Sequence, residues 1–203
     1  MKRMLLIVDV QNGFVNSYTE AIPGRIRTLV ERGRFDPVLF TCFVNTPESP
    51  YRRILDWHEC AEAPDTDIAP ELADLVRPGC AYTKPGFTGI PDDLAKRLRD
   101  EAPEEVVVVG IDTDMCVLKV AMDVFDLGIT PVVLVDCCAS TGGLQAHLAG
   151  LATLARNIGA NQLRTTGLDE GYLGRPPDEA EKPEAVIDRV GTAVLSGDAR
   201  HSG

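Results

Sequence analysis

The most constraining feature of this 203-residue chain is a set of short runs that are apolar at every position rather than at alternate ones. Leu5-Leu6-Ile7-Val8 and Val106-Val107-Val108-Val109 are the clearest, and both are too short and too rich in Ile, Val and Leu to read as helices. A strand of this kind buries both of its faces. It belongs in a parallel sheet covered by helices on either side.

The remaining segments agree. Strands are expected at Met4 to Val10, Val38 to Val44, Ala81 to Lys84, Val106 to Ile111 and Pro131 to Val135, with a sixth, edge strand at Leu163 to Thr166. Helices are expected from Pro23 to near Gly33, Ile68 to Val76, Pro91 to Asp100, Asp114 to Leu127 and Leu144 to Ile158. The last carries Leu144, Leu148, Leu151, Ala155 and Ile158 along one stripe. The stretch from Asn45 through Trp57 and His58 has no clear periodicity. The expected architecture is a three-layer α/β/α domain over residues 1–168, around a mostly parallel sheet of five to six strands. Residues 169–203 form an acidic, proline-containing tail. Two readings stay open for it: a terminus without fixed structure, or a helix at Glu184 to Leu195 that docks on a neighbouring subunit.

Charge narrows the partners. A formal net charge of −11 disfavours nucleic acid and acidic membrane surfaces, both polyanions. The apolar run near the N-terminus is broken by Asp9 and lacks a small-residue cleavage site, so it reads as a core strand rather than a signal peptide. No stretch approaches the length of a membrane span. Six cysteines without a CxxC pair point to reduced thiols and a cytoplasmic setting. No GxGxxG or P-loop is present, and no cofactor is expected.

In open parallel sheets, ligands bind beyond the carboxyl ends of the strands. Asp9 closes the first strand, Lys84 the third, and Cys116 follows the fourth at the start of a helix. Each alone has a plain explanation: a turn residue, a solvated lysine, a small core hydrophobe. Together they offer a chemistry. Asp9 interrupts an apolar run, so its carboxylate requires a cation nearby, and Lys84 can supply it. A helix N-terminus and an adjacent ammonium would both favour the Cys116 thiolate, the form that attacks. A carboxylate can then carry the proton between thiol, leaving group and water.

These residues resemble the isochorismatase-like cysteine hydrolases, a family that includes nicotinamidases and other small-amide hydrolases. The likeness rests on Asp9-Val10-Gln11-Asn12-Gly13-Phe14, on Lys84, and on Gly110-Ile111-Asp112-Thr113-Asp114-Met115-Cys116-Val117, and it extends from about Met4 to Thr166. It implies a catalytic triad of Asp9, Lys84 and Cys116. It also implies a cis peptide before Asp112 and an oxyanion hole made by the Asp112 and Cys116 N–H groups. The implied reaction is hydrolysis of a C–N bond in a small amide or carbamoyl compound through a thioester. Gln11, Phe14, Trp57 and Phe87 are the candidates for binding substrate, and self-association into a homo-oligomer is expected. Two features depart from the family pattern: an acid at Asp112, and Pro85-Gly86-Phe87-Thr88-Gly89-Ile90 after the lysine.

Nicotinamidases in the family hold a divalent metal through an Asp-x-His element after the second strand and a further histidine. Here Asp56-Trp57-His58 has the right letters but comes late, and no other histidine precedes Lys84. One Asp and one His do not close a site, so no metal is expected. His147 reads as a helix-edge residue. Cys137-Cys138 competes as nucleophile but lacks an acid partner, and reads as part of the turn after strand five. The sequence leaves three alternatives: vinyl-ether cleavage as in isochorismatases, which proceeds without a cysteine; an Asp9-dependent phosphatase, which wants a second acid where Gln11 stands; and a non-catalytic binding domain.

Overall fold

A computed structural model describes residues 2–86 and 89–166. Phe87 and the tail from 169 onward lie outside the described residues, so the pocket role of Phe87 and the docking of Glu184 to Leu195 have no structural counterpart here.

The apolar runs become six strands: β1 (Arg3–Val8), β2 (Val38–Phe43), β3 (Ala81–Lys84), β4 (Glu105–Ile111), β5 (Thr130–Ala139) and β6 (Leu163–Arg164). They form one sheet in the order β3-β2-β1-β4-β5-β6, and every strand pair in it is parallel. All seven residues of β4 are buried, as its uninterrupted apolar composition requires. The helices are α1 (Ile22–Arg32), α2 (Pro50–Leu55), α3 (Pro70–Ala73), α4 (Asp92–Glu101), α5 (Cys116–Asp126) and α6 (Leu144–Ile158). The pairs α5–α6 and α1–α3 each pack together, and α1 and α5 both cover β4 and β5. The chain leaves β1 in one direction towards β2 and β3, and later resumes on the other side with β4. The reversal of strand order therefore falls between β1 and β4.

Three local expectations need correction. The helix expected over Ile68 to Val76 shrinks to Pro70–Ala73. Ile68 is instead bridged to Gln11, and the turns beyond Ala73 tighten ahead of Pro78, whose ring disfavours helix before it. The unassigned stretch contains α2, too short for a periodic signal, started by Ser49 accepting from the Tyr51 N–H at 3.1 Å and by Pro50 at its first position. Strand β5 runs on to Ala139, so Cys137 and Cys138 lie in the sheet and are buried, not in a turn. A register shift between Val108 and Gly110 lets β5 re-pair with β4 at Cys138.

Gly110 has a backbone reason. Its φ is +132°, and a Cβ there would lie 2.2 Å from the Val8 carbonyl oxygen. The backbone of β1 thus fills the space a side chain would need at this point of β4, just below the carboxyl ends where the chemistry-bearing residues emerge.

Candidate active site

Asp9 is the first residue beyond β1 and has φ +50°, a left-handed conformation uncommon for non-glycine residues. Its N–H still reaches Thr41 on β2, at 3.1 Å. The turn directs the carboxylate across the end of β2. There the Thr41 hydroxyl donates to Oδ1 at 2.7 Å, and Lys84 Nζ lies 2.6 Å from Oδ2. Neither side chain of this ion pair has any exposed surface. Lys84 starts on β3, two strands from β1, a span of about 10 Å. Its four-carbon stem is what makes the crossing possible. Burial alone would lower the lysine pKa, but the charge of Asp9, joined by that of Cys116 once the thiol ionises, outweighs it and holds it above the usual value.

Cys116 is the first residue of α5, which starts two residues later than expected. It lies within hydrogen-bonding reach of both Asp9 and Lys84, so the three residues do converge. Its ionisation differs from the sequence-based expectation. Although part of the residue reaches solvent, burial of the sulfur pushes the thiol far up, and the neighbouring Asp9 charge adds to this. Lys84 pulls the other way without prevailing. The Cys116 side chain therefore rests as a thiol beside a carboxylate, not as a preformed thiolate.

The Ile111–Asp112 peptide is cis, as the resemblance implies. The turn that follows is tied to the segment after β5 through three consecutive side chains. The Thr141 N–H and hydroxyl donate to the two oxygens of Asp112, at 2.5 and 2.8 Å. The Thr113 hydroxyl lies 2.7 Å from His147 Nδ1, and the Ser140 hydroxyl donates to Asp114 at 2.6 Å. Asp112, the departure from the family pattern, thus directs its carboxylate at Thr141. Burial raises its pKa against the opposing Thr141 hydrogen bonds. Burial also lowers the His147 pKa, which favours a neutral imidazole against Thr113. Gly150 on α6 lies so close that a Cβ would sit 2.7 Å from the Asp114 Cα.

Beside Asp9, Lys84 and Cys116 stands a wall of rings. Phe43 pairs in register with Lys84 and therefore shares its face of the sheet. Phe43 meets Phe14 at 5.9 Å, Tyr51 at 5.2 Å and Trp57 at 5.9 Å between centroids, and Tyr51 meets Trp57 at 5.4 Å. Phe14 and Trp57 are half-buried, with surface left to touch a ligand. Asn45 fixes the Trp57 loop, its amide donating to the carbonyls of Trp57 and Glu59, both at 2.9 Å. Gln11 has a different place from the one expected. It is fully buried, its Nε2 donates to the carbonyls of Phe43 and Thr66, and its Oε1 accepts from the Phe43 N–H at 2.7 Å. It positions the end of β2 and does not face a ligand. Thr41, Phe43, Asn45, Tyr51 and Thr141 were not singled out from sequence. Only Phe43, in an apolar strand-end run, carried any signal.

The metal-binding element of nicotinamidases does not fit. Asp56 and His58 pair with each other at 2.9 Å, with their side chains 96% and 62% exposed. Among the described residues, no group of three His, Cys, Asp or Glu side chains could hold a metal ion.

The family profile described as the Isochorismatase domain matches residues 3–166, and the chain belongs to that family. It is 32% identical over 162 residues to a nicotinamidase/pyrazinamidase of Mycobacterium tuberculosis, covering 68% of this chain and 86% of that protein. Its fold is similar to that of an isochorismatase-like hydrolase from Alkaliphilus metalliredigens, with TM-score 0.68 at 24% identity, over 84% of this chain and 97% of the other. It is also similar to N-carbamoylsarcosine amidase from Thermoplasma acidophilum, with TM-score 0.64 at 23% identity, over 78% of this chain and 94% of that one.

Proposed function

We propose that the protein is a metal-independent cysteine hydrolase that cleaves the C–N bond of a small amide or carbamoyl compound through a Cys116 thioester. The observation that carries this reading is the fully buried Asp9–Lys84 pair beside a cysteine that retains some access to solvent. A buried ion pair is a poor device for stability alone, since its desolvation offsets much of its attraction. Next to a nucleophile it has a use.

The chemistry follows from the resting state. As Cys116 sulfur attacks the carbonyl carbon, its proton passes to Asp9. The thiol therefore need not ionise beforehand. Lys84 keeps its positive charge throughout and limits the charge separation as the proton moves. The carbonyl oxygen gains negative charge, which the Cys116 N–H, in the first turn of α5, and the Asp112 N–H would receive. Asp9 then returns the proton to the departing amine, leaving a thioester. Water attacks that thioester and gives its proton to Asp9. The proton passes back to sulfur as the acid leaves, and the thiol is restored.

The test is ammonia release from a panel of small primary amides, ureas and carbamoylated amines, with Cys116→Ala and Asp9→Asn as controls. Turnover lost in both variants, with a thioester adduct on the quenched unsubstituted enzyme seen by intact mass, is the expected result. Turnover that survives Cys116→Ala would end the proposal.

A further inference from the structure

Asp112, the first residue beyond β4, grips the Cys116 turn with its backbone and the exit of another strand with its side chain. Its carbonyl oxygen accepts from the N–H groups of Met115 and Val117, at 3.1 and 2.9 Å. The residues on either side of Cys116 thus hang from this one peptide. The residue is 7% exposed, and each of its carboxylate oxygens takes one donor from Thr141, the N–H or the hydroxyl. Thr141 follows β5, and its own carbonyl accepts from Asn16 Nδ2 at 3.1 Å. Asn16 belongs to the segment that follows Asp9. It is fixed there, since its Oδ1 accepts from the Tyr18 N–H at 2.9 Å and its N–H donates to the Thr19 hydroxyl at 2.8 Å. A continuous line of hydrogen bonds therefore runs from the Asp9 segment, through Thr141 and Asp112, to the amides that flank Cys116.

We infer that Asp112 is a positioning residue whose carboxylate, held by Thr141, braces the Cys116 turn against the segment that follows Asp9. An ionised carboxylate has no donor to offer a developing oxyanion, so the use of this acid is geometric. Two donors on two oxygens also fix the plane of the carboxylate, which a single hydrogen bond would leave free to turn. The brace spans the division between β1 and β4, so it sets the distance between the acid and the sulfur as well as the direction of the Cys116 N–H. Groups that act on charge formed in the transition state affect kcat more than substrate binding, and small displacements of them are costly. Only this effect on turnover rests on the hydrolase reading above; the brace itself is a statement about the turn.

The experiment pairs amide hydrogen exchange by NMR with steady-state kinetics on the amide that releases ammonia fastest in the panel above. Asp112→Ala removes the brace. Exchange at Met115 and Val117 should quicken about tenfold or more relative to Val107 and Val108 in β4, whereas a general loss of stability would move all four together. In the same variant kcat should fall about a hundredfold with KM within about twofold. Asp112→Asn can still accept from the Thr141 N–H and can donate to its hydroxyl, so it should lose about tenfold less than Asp112→Ala. Thr141→Val keeps the N–H and loses the hydroxyl, which should cost about tenfold in kcat, and Thr141→Ser should recover most of that loss. This second pair carries the comparison if Asp112→Ala does not fold. Unaltered exchange at Met115 and Val117, equal damage from Asn and Ala at position 112 or from Val and Ser at position 141, or a loss confined to KM overturns the inference. The expected exchange pattern with no ammonia release from the unsubstituted enzyme would instead sink the hydrolase reading and leave the brace standing.

Discussion

The Asp9–Lys84 pair makes the sharpest quantitative claim. Its atoms are 2.6 Å apart, both side chains are fully enclosed, and Thr41 already occupies the other carboxylate oxygen. Removing one partner leaves the other as an uncompensated buried charge, a loss of about 3–5 kcal/mol. Lys84→Met and Asp9→Asn should each lose about that much. For a domain of this size, that corresponds to a fall in Tm of roughly 6–20 °C. The double variant removes both charges together and should lie within about 2 kcal/mol of the unsubstituted protein. The singles and the double then fail to add by about 4 kcal/mol or more. The assay is a urea-unfolding cycle at pH 7 on the four proteins, with unchanged m-values as the condition for comparing them. Activity cannot serve as the readout, because all three variants are expected to be inactive. Additivity to within about 0.5 kcal/mol would mean that the two groups do not act as a pair, and the proposed path of the proton would fall with it.

Other consequences concern the thiols and the supports of the site. Burial raises Cys42 to about 12, Cys60 to about 11 and Cys138 to about 12, and pushes Cys116 and Cys137 higher still. Unfolded thiols titrate near ~8.5, so the folded state holds more protons above that pH and its stability falls as pH rises, by about 1.4 kcal/mol per pH unit for each thiol. The Lys84 contribution persists through this window, because its folded pKa is raised and is lost only as pH passes through that raised value. A urea midpoint that stays flat from about pH 8.5 to 10.5 would contradict the burial of these thiols. Gly150→Ala sets a Cβ 2.7 Å from the Asp114 backbone, so the turn bearing Cys116 must shift. It should cut kcat about a hundredfold at a stability loss of about 1–3 kcal/mol, and unchanged kcat would show that the turn's position is not critical. Asn45→Ala releases the Trp57 and Glu59 carbonyls. Trp57 emission should shift red and KM should rise more than kcat falls, whereas an unshifted spectrum would show that Asn45 does not hold the ring in place.

What could be read from the chain and what could not divide along a physical line. The sheet was legible because unbroken apolar runs permit few architectures, and the convergence of Asp9, Lys84 and Cys116 was legible because they emerge at the ends of such runs. Thr41, Thr141 and Asn45 were not, since each works through a partner distant in sequence and has nothing local to mark it. Tyr51 was missed because a helix of six residues has too few turns to show a period. The ionisation of Cys116 was misread for a different reason. Position at a helix N-terminus is visible in sequence and is worth about 0.3–1 kcal/mol, less than one pKa unit at 1.36 kcal/mol per unit. Desolvation of the sulfur and the sign of its nearest charges act over a larger range, and both arise only when β1, β3 and α5 meet. In this site they oppose ionisation. The carboxylate whose charge discourages the thiolate is also the group placed to accept the thiol's proton, so Cys116 would be activated during attack rather than before it.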